Sequence, residues 1–264
     1  MTHPIEIRTE AGICRIRLTR PEKKNALTDA MYQTLVGALE AARTDPLVRA
    51  VVITAEGPDF CAGNDIGDFA QVAMRAATAG PDDAEPMAVM AFLKALAYFP
   101  KPLLAGVQGQ AVGIGTTLLL HCDLVVLADS ARLSVPFVNL ALVPEAASSV
   151  LLTERLGHAR AWAMFALGEA LSAQEAQTLG LANRVVTVDE LEGAVLALAE
   201  ALGDKAAGAL AQTKALMRDP DRIWAVMQAE GRIFQDRLRS PEAAEAFSAF
   251  MARRKPDFRQ FNPG

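Results

Sequence analysis

The stretch LLAGVQGQAVGIGTTLLLHCDLVVLA, residues 103–128, contains the pattern that decides the fold. A short apolar run leads through several glycines into an apolar segment of helical length, and a second apolar run follows. Short runs that are apolar at every position are typical of buried parallel strands. The pattern predicts a strand at 102–108, a short helix at 113–122 and a strand at 123–128.

The same alternation of strands and helices continues on both sides of this stretch. Upstream, the alternating sequence IEIRTEAGICRIRLTR predicts a half-exposed hairpin, and Thr28 is a candidate cap for a helix that ends before Pro46. The other predicted elements are a buried strand at 49–54, helices near 66–77 and 87–98, a strand at 132–135, and helices from about 146 onward with one strand at 183–187. This alternation predicts an α/β protein with mainly parallel pairing.

Composition excludes several classes of protein. The 264 residues are 52% hydrophobic and 22% charged, which suits one large folded domain or a domain with a helical appendage. A net charge of −5 does not favour nucleic-acid binding. The start of the sequence does not resemble a signal peptide, and the long uncharged stretches are interrupted by glycine and polar groups. We therefore expect a cytoplasmic protein that binds neither nucleic acid nor membranes.

Cysteine and histidine usage gives no indication of a metal site. Cys14, Cys61 and Cys122 are far apart in the sequence, and no CxxC pair occurs. This spacing favours free thiols over a disulfide framework or a zinc site. His121 lies beside Cys122 in an apolar segment, so we interpret it as a core residue with its hydrogen bonds satisfied. We expect no metal.

The glycine-rich segment GQAVGIG does not meet a nucleotide-binding pattern. Leu118 stands where the third glycine of the dinucleotide fingerprint would be, and no GK[ST] follows. What remains is backbone chemistry, because a chain that passes through glycines into a helix presents unpaired N–H groups to an anion or a developing oxyanion. The loop FCAGND, residues 60–65, follows a predicted strand and fits the same interpretation. Either loop alone could equally be an ordinary turn.

Four blocks in the sequence together resemble the crotonase superfamily, the enoyl-CoA hydratase/isomerase group. They are RPEKKNAL (20–27), FCAGNDIGDF (60–69), GQAVGIGTTLLLHCDLVV (109–126) and VPFVNLALVPEAASS (135–149). The resemblance implies a crotonase-type spiral of ββα units over 1–200 and a helical C-terminal trimerisation region over 201–264. It also implies an acyl-CoA enzyme of fatty acid metabolism that assembles as a homotrimer or a hexamer. No cofactor is expected, since coenzyme A is part of the substrate.

Carried over residue by residue, the resemblance implies an oxyanion hole formed by the backbone amides of Asn64 and Ile114. The two glutamates of the hydratase branch would fall on Thr117 and Phe137, so both are absent. The segment around Glu145 is similar instead to the peroxisomal-type delta(3),delta(2)-enoyl-CoA isomerases, which use a glutamate there as the base. We expect the apolar neighbours of Glu145 to raise its pKa. The alternative is a carboxylate that only interacts with the dipole of the following helix.

The resemblance also suggests which residues contact the substrate. For coenzyme A these are Lys23, Lys24, Ala26, Ala62, Asp65, Ile66, Gly113 and Lys255. For the acyl chain they are Phe69, Met74, Phe92, Leu96 and Phe137. The favoured hypothesis is a 3-enoyl-CoA to 2-enoyl-CoA isomerase with Glu145 as proton carrier. Two alternatives stay open: hydratase-like or other crotonase chemistry such as a ring-opening isomerisation, and a non-catalytic acyl-CoA binder.

Overall fold

The strands of the protein form two sheets in the computed structural model, which describes residues 3–67 and 88–261. The strands are β1 (Ile5–Glu10), β2 (Ile13–Leu18), β3 (Ala50–Ala55), β4 (Leu103–Val107), β5 (Gln110–Val112), β6 (Leu124–Ala128), β7 (Arg132–Ser134), β8 (Leu171–Ser172) and β9 (Arg184–Val186). The larger sheet has the order β1-β2-β3-β4-β6-β9 and the smaller one β5-β7-β8.

Helices connect and cover these strands. In the first half of the chain they are α1 (Asp29–Thr44), α2 (Ala88–Ala97) and α3 (Ile114–Thr117). In the second half they are α4 (Ser148–Leu156), α5 (His158–Trp162), α6 (Ala173–Thr178), α7 (Leu191–Gly203), α8 (Ala207–Met217), α9 (Pro220–Leu238) and α10 (Pro241–Met251). Short 3-10 turns occupy Pro21–Lys23, Leu118–His121, Val138–Leu140, Val188–Glu190 and Phe258–Phe261, and a π turn occupies Ala163–Leu167.

The larger sheet confirms the predicted pairing. β1 and β2 form an antiparallel hairpin, and each later neighbour in this sheet is parallel to the one before it. In the centre Val52 pairs with Leu104, and Leu104 pairs with Leu124. The smaller sheet joins β5 to β7 in parallel and β7 to β8 antiparallel.

Both faces of the larger sheet are buried, which explains why its central strands are apolar throughout. One face carries Val52, Leu104 and Val126, and α7 covers it with Val195 and Ala199. The other face belongs to the main core, to which α1 and α2 contribute. A strand buried on both faces has no solvent side to place polar residues on, so it does not alternate.

The predicted helices agree with the structure wherever it describes them. Thr28 caps α1 by accepting the N–H of Met31 at 3.3 Å. The helix predicted near 66–77 falls largely outside the described residues. β5 and β8 were not predicted, because strands of three and two residues are too short to show a periodic pattern. No helix in the described parts of the chain is long and apolar enough to cross a bilayer.

Asn25 connects the segment before α1 to the loop after β3. Its side chain is fully buried, and its backbone is left-handed with φ of 53°. The Nδ2 group donates to Glu56 O at 2.9 Å and to Asp59 O at 2.8 Å, while Oδ1 accepts Arg20 N–H at 2.8 Å. Asparagine suits this position because it tolerates the left-handed region and satisfies three backbone groups at once.

We predict that Asn25→Ala lowers the free energy of unfolding by about 3 kcal/mol, because it leaves buried backbone groups without partners. Urea unfolding followed by circular dichroism measures the change. Gln33→Ala is the matched control, since it removes an amide from an exposed site on α1, and it should change stability by less than about 0.5 kcal/mol. Equal effects of the two substitutions would contradict this role of Asn25.

Candidate active site

Two backbone N–H groups belong to residues that line the same cavity. Asn64 follows Gly63, whose φ is 96°, and Ile114 follows Gly113, whose φ is 55°. Both residues contribute to the wall of a cavity of about 330 Å³. Among the hydrogen bonds of the described residues, neither N–H donates to another backbone group. Free donors on a cavity wall can stabilise negative charge on a bound molecule.

The absence of a side chain at Gly115 allows these two loops to lie next to each other. A Cβ at this position would be 2.6 Å from Cys61 O and 2.9 Å from Cys61 Cβ, which is closer than real contacts allow. The loops are also joined by backbone hydrogen bonds, from Val112 N to Cys61 O at 2.9 Å and from Cys61 N to Gln110 O at 3.0 Å. The start of α3 is therefore fixed against the 61–64 loop.

Glu145 lies between this large cavity and a smaller one of about 50 Å³, and lines both. Thr117 Oγ1, at the end of α3, donates to Glu145 Oε1 at 2.6 Å. Burial raises the pKa of Glu145 to about 8, the Thr117 hydrogen bond opposes this shift, and the charge of Glu230 adds to it. The expected rise in pKa is therefore found. Near neutral pH such a carboxyl group can both take up and release a proton.

Glu145 is the only ionisable side chain among the described residues that line the two cavities. Most of the other lining side chains are apolar. Around the large cavity they are Ile66, Val112, Ile114, Pro136, Phe137, Leu140, Leu142, Phe234, Phe247 and Phe250, and around the small one Val89, Met90, Leu93, Ala146, Met227, Phe234 and Leu238. An apolar site with few polar groups suits a ligand with a hydrocarbon part.

A buried tyrosine holds the side chain of Asn64. Tyr32 OH donates to Asn64 Oδ1 at 2.5 Å, and Tyr32 is 3% exposed. Burial first, and the charge of Glu145 second, raise the pKa of Tyr32 well above its ordinary value, so the phenol stays protonated and remains a donor. Sequence analysis missed Tyr32, because its position on the buried face of α1 is typical of a core residue.

The residues predicted for the acyl chain divide into three groups. Phe137 lines the large cavity. Phe92 packs on the ring of Tyr32 with centroids 5.5 Å apart, Leu96 is buried in the core, and neither lines either of these two cavities. Phe69 and Met74 lie outside the described residues. On α2 the small cavity is lined instead by Val89, Met90 and Leu93.

Three of the residues predicted for coenzyme A line the large cavity: Ala62, Ile66 and Gly113. Three others surround the same loop. Lys24 O accepts Ala62 N–H at 2.9 Å, and the Arg20 guanidinium donates to both Ala26 O and Asp65 Oδ2.

Lys23 and Lys255 are exposed, and neither is among the residues that line a cavity. Lys255 follows α10. Their contact with a substrate stays a prediction.

The apolar residues of α9 recur at helical spacing and form a stripe along it, as is typical of a packing surface. Phe234 and Leu238 of that stripe line the cavities, whereas Ile233 is 54% exposed. Glu230 also lies on the buried face, three residues after Met227, and is 7% exposed. A carboxylate at an apolar position of the helical repeat is the signal that could have identified it.

Comparison with known proteins agrees with this geometry. The family model described as enoyl-CoA hydratase/isomerase matches residues 8–261. A solved enoyl-CoA hydratase/isomerase from Pseudoalteromonas atlantica T6c superposes with a TM-score of 0.89 at 37% identity, covering 97% of this chain and 100% of that one.

Two characterised relatives have different names. The 2,3-dehydroadipyl-CoA hydratase of Escherichia coli is 34% identical over 92% of this chain and 94% of its own. Enoyl-CoA delta isomerase 2 of Rattus norvegicus is 33% identical over 95% of this chain and 64% of its own length.

The fold and the site define an acyl-CoA enzyme with the crotonase fold, as the resemblance implied. The chain belongs to the enoyl-CoA hydratase/isomerase family. Because its relatives include both hydratases and isomerases at similar identity, membership alone does not determine the reaction.

We predict that Gly115→Ala lowers kcat on acyl-CoA substrates on the order of 100-fold, since the added methyl group pushes α3 away from Cys61 and separates the two N–H groups. Steady-state kinetics and circular dichroism measure activity and folding. Gly37→Ala on α1 is the control, because a Cβ there meets nothing within 4 Å, and it should leave kcat unchanged. Normal turnover by a folded Gly115→Ala protein would contradict the prediction.

Proposed function

We propose that the protein converts 3-enoyl-CoA to 2-enoyl-CoA, with Glu145 as the single proton carrier and the N–H groups of Asn64 and Ile114 as an oxyanion hole. The observation that carries this proposal is the composition of the two cavities. Among the described residues that line them, one carboxyl group with a pKa of about 8 is the only ionisable side chain.

The first step removes a proton from C2 of the substrate. The Glu145 carboxylate takes the proton, and the electron pair of the C–H bond moves into the thioester, whose oxygen becomes negatively charged. Asn64 N–H and Ile114 N–H donate to this oxygen. Each donor of an oxyanion hole lowers a barrier of this kind by roughly 3 kcal/mol.

The second step returns the same proton to C4. The electron pair of the former C3–C4 double bond forms the new C4–H bond. The enolate pair between C1 and C2 moves to join C2 and C3, and a pair on the thioester oxygen restores the C=O bond. Glu145 is again a carboxylate and no atom is gained or lost. One base therefore suffices, provided that it reaches both carbons from the same side.

Hydration needs more than this site offers. A water molecule must be activated while a second group manages the proton at carbon, and the positions of the two hydratase glutamates hold Thr117 and Phe137. Thr117 donates to Glu145, so its hydroxyl supports one carboxylate and does not replace another. The apolar wall also disfavours an ordered water. These observations support isomerisation over hydration.

Substrate contacts and assembly are part of the same proposal. We infer an acyl-CoA whose hydrocarbon chain contacts the apolar cavity walls and whose coenzyme A contacts the loops at 23–26 and 62–66, with Lys255 near its phosphates. A homotrimer or hexamer in the cytoplasm is the proposed state. The apolar lining of both cavities supports the first of these inferences.

We expect Glu145→Gln to lower the rate of double-bond migration on the order of 1,000-fold or more, since the amide cannot carry the proton. Purified protein is assayed with 3-enoyl-CoA for migration and with 2-enoyl-CoA for water addition. Glu200→Gln, which removes an exposed carboxylate on α7, is the control and should match the wild type.

Each outcome decides between the candidate functions. Fast migration that Glu145→Gln abolishes supports the isomerase. Water addition faster than migration would favour a hydratase. Binding of acyl-CoA without turnover of either compound would favour a non-catalytic binder.

The pH dependence of kcat/KM follows from the raised pKa of Glu145 in the free protein. The base must be deprotonated, so kcat/KM should rise with pH, reach half its maximum near pH 8 and then level off. Thr117→Val removes a hydrogen bond that lowers this pKa, so its midpoint should move to higher pH. Thr178→Val, on the exposed side of α6, is the control and should not move it. A flat profile around pH 8 would contradict the assignment.

A further inference from the structure

Glu230 of α9 is a buried carboxylate with an unusual set of partners. It is 7% exposed, and within the described parts of the chain it forms no salt bridge with a Lys, Arg or His side chain. Its oxygens accept Ala147 N–H at 2.6 Å, Ser149 N–H at 3.0 Å and Ser149 Oγ–H at 2.5 Å. The three donors belong to Ala147 and Ser149, which follow Glu145 closely in the chain.

The segment that Glu230 holds has a backbone that alanine rarely adopts. Ala146 and Ala147 have φ of 59° and 57°, so two consecutive residues with side chains are left-handed. Such a conformation persists only where the surrounding structure imposes it. The turn redirects the chain between Glu145 and α4, and the direction of the Glu145 side chain depends on it.

At the start of α4, Glu230 takes the place of a side-chain cap from a neighbouring residue. The residue before α4 is Ala147, which offers no side-chain acceptor and has a left-handed backbone instead of the extended backbone typical of a side-chain cap. The protein instead uses a carboxylate that lies 83 residues further along the chain. A charge on a largely apolar helix face is costly to bury, so local helix capping alone does not explain it.

His121 binds the same turn. Its Nε2–H donates to Ala146 O at 2.8 Å, and Nδ1 accepts a hydrogen bond from Arg218. Burial and the nearby Arg218 charge lower the pKa of His121 well below its ordinary value, so the ring is neutral with its proton on Nε2. Two buried side chains, Glu230 and His121, therefore bind the backbone of the left-handed pair.

We propose that Glu230 is a positioning residue: by binding the N–H groups of Ala147 and Ser149 it holds the left-handed turn that aims the Glu145 carboxylate into the two cavities. Glu230 lines neither cavity and so does not touch the substrate. The inference rests on the proposed role of Glu145 as proton carrier. The effect of Glu230 on the pKa of Glu145 agrees with their proximity.

The test replaces Glu230 by glutamine, which keeps the size but puts a donor where one N–H needs an acceptor. We expect kcat for migration to fall on the order of 100-fold, as misaligned catalytic groups cause, with KM within about threefold of the wild type. Amide hydrogen exchange at 147–149 should accelerate about 10-fold or more, while α7 keeps its protection.

Glu154→Gln is the matched control. Glu154 lies on α4 and pairs with Arg222 of α9, so its loss removes a charge and a contact between the same two helices away from the turn. It should leave kcat and the exchange rates at 147–149 unchanged.

A second substitution tests whether the loss of kcat comes from a misdirected Glu145 side chain or from a less stable fold. Glycine adopts positive φ without steric cost, so Ala147→Gly in the Glu230→Gln background should restore kcat by roughly 10-fold. In the wild type, Ala147→Gly should change kcat by less than about twofold. Urea unfolding of the same variants measures stability separately, and a rescue of kcat that only follows a gain in unfolding free energy would contradict the positioning role.

The outcomes distinguish this inference from the proposed function. Unchanged kcat in Glu230→Gln, with Glu145→Gln inactive, overturns the positioning role and leaves the isomerase intact. If Glu145→Gln still isomerises, the proposed function fails, and unchanged exchange at 147–149 would then show that Glu230 does not hold the turn either. Should Glu230→Gln not fold, Glu230→Asp, which is too short to reach both N–H groups, gives the same comparison.

Discussion

The contact between the start of α3 and the 61–64 loop is the constraint on which the site depends. Glycine at position 115 lets the backbone of α3 approach Cys61 more closely than any side chain would permit. Backbone hydrogen bonds from Val112 N to Cys61 O and from Cys61 N to Gln110 O keep the two segments together. As a result Asn64 and Ile114, which are 50 positions apart, contribute to one cavity, and Thr117 at the other end of α3 reaches Glu145.

Burial at this site makes the charged form of Glu145 energetically unfavourable near neutral pH. Its pKa is about 8 in the folded protein and near 4.5 in an ordinary environment, so the folded state binds more protons between these values. The contribution of this group to stability is complete below about pH 4.5 and declines as the pH rises to about 8. Glu145 therefore stabilises the folded protein least above about pH 8, where its side chain is a carboxylate and can act as a base.

Much of the fold could be predicted from sequence, because buried parallel strands and amphipathic helices produce distinct patterns. Residues 103–128 show the strand, glycine turn and helix in the order observed. Less of the candidate site could be predicted from the sequence. Glu145 was identified through resemblance, whereas Thr117, Tyr32 and Glu230 act across 28, 32 and 81 to 83 residues, which no local pattern encodes. Apolar residues on one helix follow the same pattern, and only tertiary packing separates a residue that lines a cavity, such as Leu93, from core residues such as Phe92 and Leu96.

The use of backbone donors at Asn64 and Ile114 has a consequence for how such proteins diversify. A peptide N–H is present with every side chain except proline, so most replacements of Asn64 or Ile114 themselves leave the two donors of the proposed site in place. The group that transfers the proton is a side chain, and single substitutions can add it, remove it or change its position. A lineage can therefore exchange one reaction for another while every intermediate protein keeps the two donors that bind the thioester oxygen.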